Sequence, residues 1–173
     1  FNTYTVAGAL IAADLVNNPA ADGPALVTLL AGYEVWVPPM TAPMAAEISD
    51  WSRRLRDVFA PGDPGRQAEV ADELLVAASC MPRLVSHDGL PPHLHYAPLE
   101  ASPPARVRAL TAAGLAQVIA DGEGHRLGHC QREACREVFV DVSRNGRRRF
   151  CTVQCANVVN VSRHRARRRD AAG

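Results

Sequence analysis

The sequence predicts a mainly α protein. A helical N-terminal domain carries a small β-hairpin. A treble-clef-like finger follows, made of a β-hairpin and a basic C-terminal helix. Three observations predict this. Residues 5–17, 44–59, 67–80 and 103–120 repeat apolar side chains at the helical period. Four of the five cysteines form two pairs, Cys130-x4-Cys135 and Cys151-x3-Cys155, around an Asn-Gly turn signal. Charge is also divided: residues 1–120 hold 12 acidic residues and 7 arginines, net −5, and residues 121–173 hold 6 and 12, net +6. The boundary falls at Asp121-Gly122-Glu123-Gly124, giving a helical domain over 1–121 and a finger over 125–169.

Taken in order, residues 5–17 form a helix with Val6, Leu10, Ala13 and Val16 or Asn17 on one side, ended by Asn17-Asn18-Pro19. A second, short helix over 24–31 starts at Pro24, a residue suited to a first turn. Val35-Trp36-Val37 is a brief extended piece closed by two prolines, and Trp36 and Trp51 are core candidates. Met44 to Phe59 is helical, with Ile48, Trp51 or Ser52, Leu55 and Phe59 inward and Arg53, Arg54 and Asp57 outward. Pro61-Gly62-Asp63-Pro64-Gly65 reads as a loop, and Gln67 to Cys80 as the next helix, stopped by Pro82. Leu84-Val85 and Leu94-His95-Tyr96, around Asp88-Gly89, make a small hairpin. Residues 103–120 are helical, with Gly114 a weak point.

Thiolates a few residues apart reach one metal ion from a single knuckle. Two such pairs close a tetrahedral S4 site, so Cys130, Cys135, Cys151 and Cys155 are expected to hold one structural Zn2+. Between the pairs, Val138-Phe139-Val140 is β-prone, Ser143 to Gly146 is the turn, and Arg149-Phe150 leads back to Cys151. A helix then supplies the last ligand, which makes the whole a treble-clef-like zinc finger. His125 and His129 are nearby substitutes, but four cysteines already complete the site. Cys80 is expected to be a small buried hydrophobe.

From Val142 to Arg169 there are nine arginines and no Asp or Glu. On a helix over 153–169, Cys155, Val159, Ser162 and Ala166 share an inward face, with Asn157, Asn160, His164, Arg167 and Arg168 roughly opposite. Arginine pairs with guanine and asparagine with adenine, while further cations neutralise phosphates. The expectation is double-stranded DNA binding through Arg144, Arg147, Arg148, Arg149, Asn157, Asn160, Arg163, His164, Arg165, Arg167 and Arg168. One such module offers few base contacts, which points to a homodimer presenting two fingers.

The segment from Arg126 to Arg168 resembles the CGNR zinc finger of bacterial transcription regulators. The resemblance is carried by the four cysteines, the F-V-D-x-S-R-N core (Phe139 to Asn145), the R-R-F-C step and the R-A-R-R end. Upstream, Pro82 to Gly89 and His93-Leu94-His95-Tyr96 resemble the actinobacterial branch, whose N-terminal helical domain is called ABATE, a stress-induced regulator module. The resemblance implies a DNA-binding transcription regulator. One departure is Cys155-Ala156-Asn157-Val158, where the family signature is Cys-Gly-Asn-Arg. Val158 removes a cation and its five-donor fork.

Other classes are argued down or kept open. Nothing matches a nucleophile–base pair, a phosphate-cradling loop or a catalytic carboxylate dyad, so no enzyme is expected. Apolar stretches are short and nothing resembles a signal peptide, so the expected location is cytoplasmic, at the nucleoid, without a membrane partner. Two alternatives remain: a zinc-finger protein-interaction module, contacting RNA polymerase or a partner regulator, and a small-molecule or metal sensor. The sensor would use His87, His93 and His95, because His93 and His95 share one face of a strand.

Overall fold

The computed structural model describes residues 3–60, 62–86, 89, 91–98 and 100–170. Among them run α1 (Thr3–Asn17), α2 (Gly23–Ala31), α3 (Ala42–Leu55), α4 (Pro64–Ala77), α5 (Pro103–Ala120) and α6 (Val153–Asp170). The strands are β1 (Arg83–Val85), β2 (His93–His95), β3 (Leu127–His129) and β4 (Val138–Val140). They form two antiparallel hairpins, β1–β2 and β3–β4. The mainly α architecture, with a hairpin on the helical body and a hairpin plus basic helix at the C-terminal end, is the predicted one.

The core is organised around α1 and α5. Both are rich in alanine, and Val6, Ala9, Ile11, Ala12, Leu15, Val107, Ala112, Leu115 and Val118 are buried between and around them. Gly114, expected to weaken α5, is what lets the two helices meet. A Cβ there would lie 2.6 Å from the Gly8 Cα, a backbone atom with nowhere to go. α3 adds Ile48, Trp51 and Leu55, and a 3-10 turn (Arg56–Phe59) adds Val58 and Phe59. The Trp51 indole donates to the Thr111 hydroxyl at 3.0 Å, and that hydroxyl donates to the Val107 carbonyl at 2.8 Å. A buried polar pair is thus fully satisfied.

Three sequence readings change. α4 begins at Pro64 rather than Gln67: Asp63 accepts from the Gly65 N–H and Pro64 occupies the first turn, so part of the apparent loop is a helix start. It ends at Ala77, and Ser79 takes a left-handed φ of 51°. Trp36 is not core but 74 % exposed. Extended backbone alternates sides, and Val37 takes the buried one, which sends Trp36 outward.

The finger's hairpin differs in its pairing. Val138–Val140 is a strand as expected, but its partner is Leu127–His129, upstream of the first cysteine pair. The residues after the turn return without forming a strand. The first cysteine pair therefore sits in the loop of the β3–β4 hairpin, the position of a treble-clef knuckle.

This hairpin is also built into the helical body. Leu127, Val138 and Val140 join the same core cluster as α1 and α5. The Asn17 side chain brackets Val138, donating to its carbonyl at 3.0 Å and accepting from its N–H at 2.9 Å, as a neighbouring strand would. Arg56 donates to the carbonyls of Arg136 and Val16. Gln67 bridges the carbonyls of Val58 and Gly124.

Candidate metal centre and basic helix

The four cysteines converge. The sulfurs of Cys130, Cys135, Cys151 and Cys155 all lie within 4.8 Å of one another. Cys135 to Cys151 is 3.7 Å and Cys151 to Cys155 is 3.6 Å. A tetrahedral ion with bonds of about 2.3 Å sets its ligands about 3.8 Å apart, which these two distances match. Cys130 and Cys155 are buried and the other two half-buried, as a closed structural site requires. Among the described residues, this is the one such group of three or more His, Cys, Asp or Glu ligands. His125 and His129 are exposed and take no part, and Cys80 is half-buried, with its thiol on the Ala109 carbonyl. The four cysteines are arranged to bind one zinc ion.

Local structure explains the convergence. The knuckle is closed by Cys135 N–H to the Arg132 carbonyl (2.8 Å) and Cys130 N–H to the Glu137 carbonyl (2.8 Å). Gln131 N–H to the Arg149 carbonyl (2.9 Å) ties the first cysteine pair to the segment leading into the second. Thr152 caps α6 by accepting from the Cys155 N–H at 3.1 Å, which fixes the last ligand on the first helical turn.

The electrostatics call for a cation. Burial pushes the Cys130 thiol up, but backbone hydrogen bonds from Cys151 and Arg132 and further bonds from neighbouring thiols outweigh it and bring it down to about 7. The Glu137 backbone bond favours the Cys135 thiolate, yet burial and Cys130 together raise this thiol. Cys151 is pushed far up, by burial first and then by the other three thiols. One thiolate discourages the rest, and only a divalent ion lets all four ionise together.

Behind the cysteines lies a polar brace. Asp141 is 1 % exposed and accepts from Ser143 N–H at 2.9 Å and Arg148 N–H at 2.7 Å. Burial would raise its carboxyl; the hydrogen bonds from Ser143 and Arg148 and the nearby Arg126 charge hold it below the usual range. Arg126, also buried, donates to the carbonyls of Asp141 (3.1 Å) and Ser143 (2.7 Å) and pairs with Glu123 at 2.5 Å. The turn itself needs Gly146: its φ is 59°, and a Cβ would meet the Arg126 guanidinium at 3.1 Å. These contacts give the F-V-D-x-S-R-N stretch a physical meaning. Phe139 and Val140 are strand, Asp141 and Ser143 hold the turn, and Asn145-Gly146 makes it. Sequence reasoning missed Arg126, Asp141 and Asn17; the signal was a lone Asp two residues before a Ser, a turn-forming pattern.

Arg148 belongs to this brace. Its guanidinium stacks 4.8 Å from the Phe139 ring centre and donates to the carbonyls of Phe150 (2.8 Å) and Cys151. Nε and one terminal nitrogen of its guanidinium brace the second knuckle, a structural role that the sequence reading did not give it, while the residue stays exposed.

The other residues expected to contact DNA lie on the surface. Arg144, Arg147, Arg149, Asn157, Asn160, Arg163, His164, Arg165, Arg167 and Arg168 are all exposed. The inward face predicted for α6 is shorter than expected. Cys155 is buried and Val159 half-buried, but Ser162 and Ala166 are exposed, as is every residue from Asn160 to Arg169. α6 is therefore anchored by its first two turns and projects beyond them. The helical-domain histidines are partly brought together: His93 and His95 touch, with Nε2 atoms 3.1 Å apart. His87 lies outside the described residues.

No curated protein matches the chain. The CGNR zinc finger family matches residues 126–168, from the buried arginine of the brace to the arginines of α6. That match and the thiolate geometry agree: residues 126–168 match the CGNR zinc finger family and bring together four cysteines arranged to bind one zinc ion.

Proposed function

We propose that the protein is a DNA-binding transcription regulator whose zinc finger presents α6 to the major groove of duplex DNA. The observation that carries the reading is the projecting helix: ten consecutive exposed residues, five of them arginine, with no acidic side chain from Val142 to Arg169. α6 spans about 27 Å at 1.5 Å per residue, and the groove admits such a helix. Arginines crowded on a helix whose one acidic residue is its last, Asp170, repel one another, and a polyanion relieves that strain. The acidic body keeps the rest of the molecule off the phosphates. Asn157, Asn160, His164 and Arg167 fall on one face at helical spacing and suit base edges; Arg144, Arg147 and Arg149, around the turn, suit the backbone. In this reading two fingers act together as a homodimer at the nucleoid, because one module buries little interface.

A second reading has its own support. Val153, Val158 and Val161 on α6 and Val142 before it are exposed, Val153 to 76 %. Exposed apolar side chains among cations also suit a protein groove, on RNA polymerase or a partner regulator. Anisotropy on duplexes separates the two. Asn160→Ala or Arg167→Ala should cost about 1–3 kcal/mol on a selected site and relax its sequence preference. Unchanged duplex binding in both variants would move the protein-contact reading to first place.

A further inference from the structure

The β1–β2 hairpin carries a pair of histidines that the DNA-binding reading does not use. β2 is a short strand, so His93 and His95 project from one face, both half-buried. Their rings lie 5.0 Å apart between centres, and their Nε2 atoms 3.1 Å apart. His93 Nδ1 is 3.0 Å from the Pro91 carbonyl. A carbonyl only accepts, so Nδ1 carries the proton and the neutral ring offers its lone pair at Nε2, toward His95. A metal-binding histidine is oriented in the same way, by a carbonyl on its other nitrogen.

The distance can be tested against coordination geometry. With metal–nitrogen bonds of about 2.0–2.1 Å, two imidazole nitrogens stand about 3.3 Å apart at a tetrahedral angle and about 2.9 Å apart at a right angle. The observed 3.1 Å lies between these values. Register supports the arrangement: Arg83 pairs with His95 and Val85 with His93, so both histidines are fixed by cross-strand partners rather than placed on a loose loop. Imidazole selects borderline divalent ions over hard ones such as Mg2+ or Ca2+.

We propose that His93 and His95 form a second metal site, separate from the four-cysteine centre, that takes a borderline divalent transition-metal ion such as Ni2+ or Zn2+ through their Nε2 atoms. It is independent of the DNA-binding reading and stands or falls by itself.

The test uses the full chain with its cysteine site loaded with zinc and no histidine tag. Calorimetric titration with Ni2+ should show one ion bound per chain while the zinc is retained. His93→Ala and His95→Ala should each weaken Ni2+ by at least about tenfold, since even an outer-shell partner costs that much. His129→Ala, an exposed histidine off the hairpin, should leave Ni2+ binding unchanged. In the wild-type protein, Ni2+ should broaden the NMR ring signals of two histidines before any others, a readout that needs no variant to fold. Absence of Ni2+ binding beyond the zinc, equal binding by both hairpin variants, or first broadening of other histidines would overturn the proposal.

Discussion

Asp141→Asn changes one oxygen for one nitrogen inside the brace, so its effect can be worked from geometry. The native carboxylate accepts two backbone N–H bonds, at 2.9 and 2.7 Å, in a site almost closed to water. Asparagine keeps one acceptor and points an NH2 group at the other donor. Hydrogen bonds to a charged group contribute about 1.5–3 kcal/mol each, and a buried donor left facing a donor adds about 1–3 kcal/mol. A loss of about 2.5–6 kcal/mol follows. The turn carries Arg148, which holds the Phe150 and Cys151 carbonyls, so the loss falls on the second cysteine pair. Metal-binding free energy is folding free energy for so small a module. At about 1.4 kcal/mol per factor of ten, zinc affinity should fall roughly 60- to 20,000-fold. Competition with a chromogenic chelator at neutral pH measures it. Acid gives no clean test, although the sign is clear. A carboxyl held below its ordinary value stabilises the fold above that value and loses its effect as pH falls through the folded-state pKa, by which point the thiolates are protonated. An Asp141→Asn protein with zinc affinity within about threefold of wild type would refute the coupling of turn to metal.

Three further outcomes are expected. Cys151→Ser should release the zinc and unfold α6, while α1–α5 keep a cooperative transition by circular dichroism. That transition should move to lower temperature, because Leu127, Val138 and Val140 share the body's core; Cys80→Ala should keep the full zinc content. Arg148→Ala should lower zinc affinity and thermal stability, with the salt dependence of duplex binding unchanged. A salt slope reduced by about one unit with zinc affinity intact would return Arg148 to the phosphate contacts. Gly114→Ala gains up to about 1 kcal/mol of helix propensity but forces its Cβ against the Gly8 backbone. Overpacking of that kind costs about 1–3 kcal/mol, so denaturant unfolding should show a net loss.

Much of this was legible in the chain. Helix existence followed from apolar period, and the metal site from cysteine spacing, since both signals are local. The α1–α5 crossing was not: Gly114 reads as a helix breaker until Gly8 is seen across from it. Trp36 misled because aromatic bulk suggests burial, whereas the alternation set by Val35 and Val37 turns it outward. The strand pairing misled because two arms around an Asn-Gly turn look like partners, while the true partner, Leu127–His129, is three residues long and carries a Gly. The inward face of α6 was overextended because periodicity says which residues share a side, not whether anything lies against that side. Arg148 sits in a run of three arginines, and only the Phe139 ring and the knuckle carbonyls set it apart.

The central claim is that a zinc-anchored, projecting arginine helix binds duplex DNA. Its most direct test is the affinity of the zinc-loaded full chain for unrelated duplexes across a series of salt concentrations. Eight exposed arginines remain once Arg148 is set aside, and about half of them can face one duplex. The logarithm of affinity should then fall linearly with the logarithm of salt, with a slope of about −4, near 0.9 per neutralised phosphate. No duplex binding at low salt, or a slope near zero, would contradict the account.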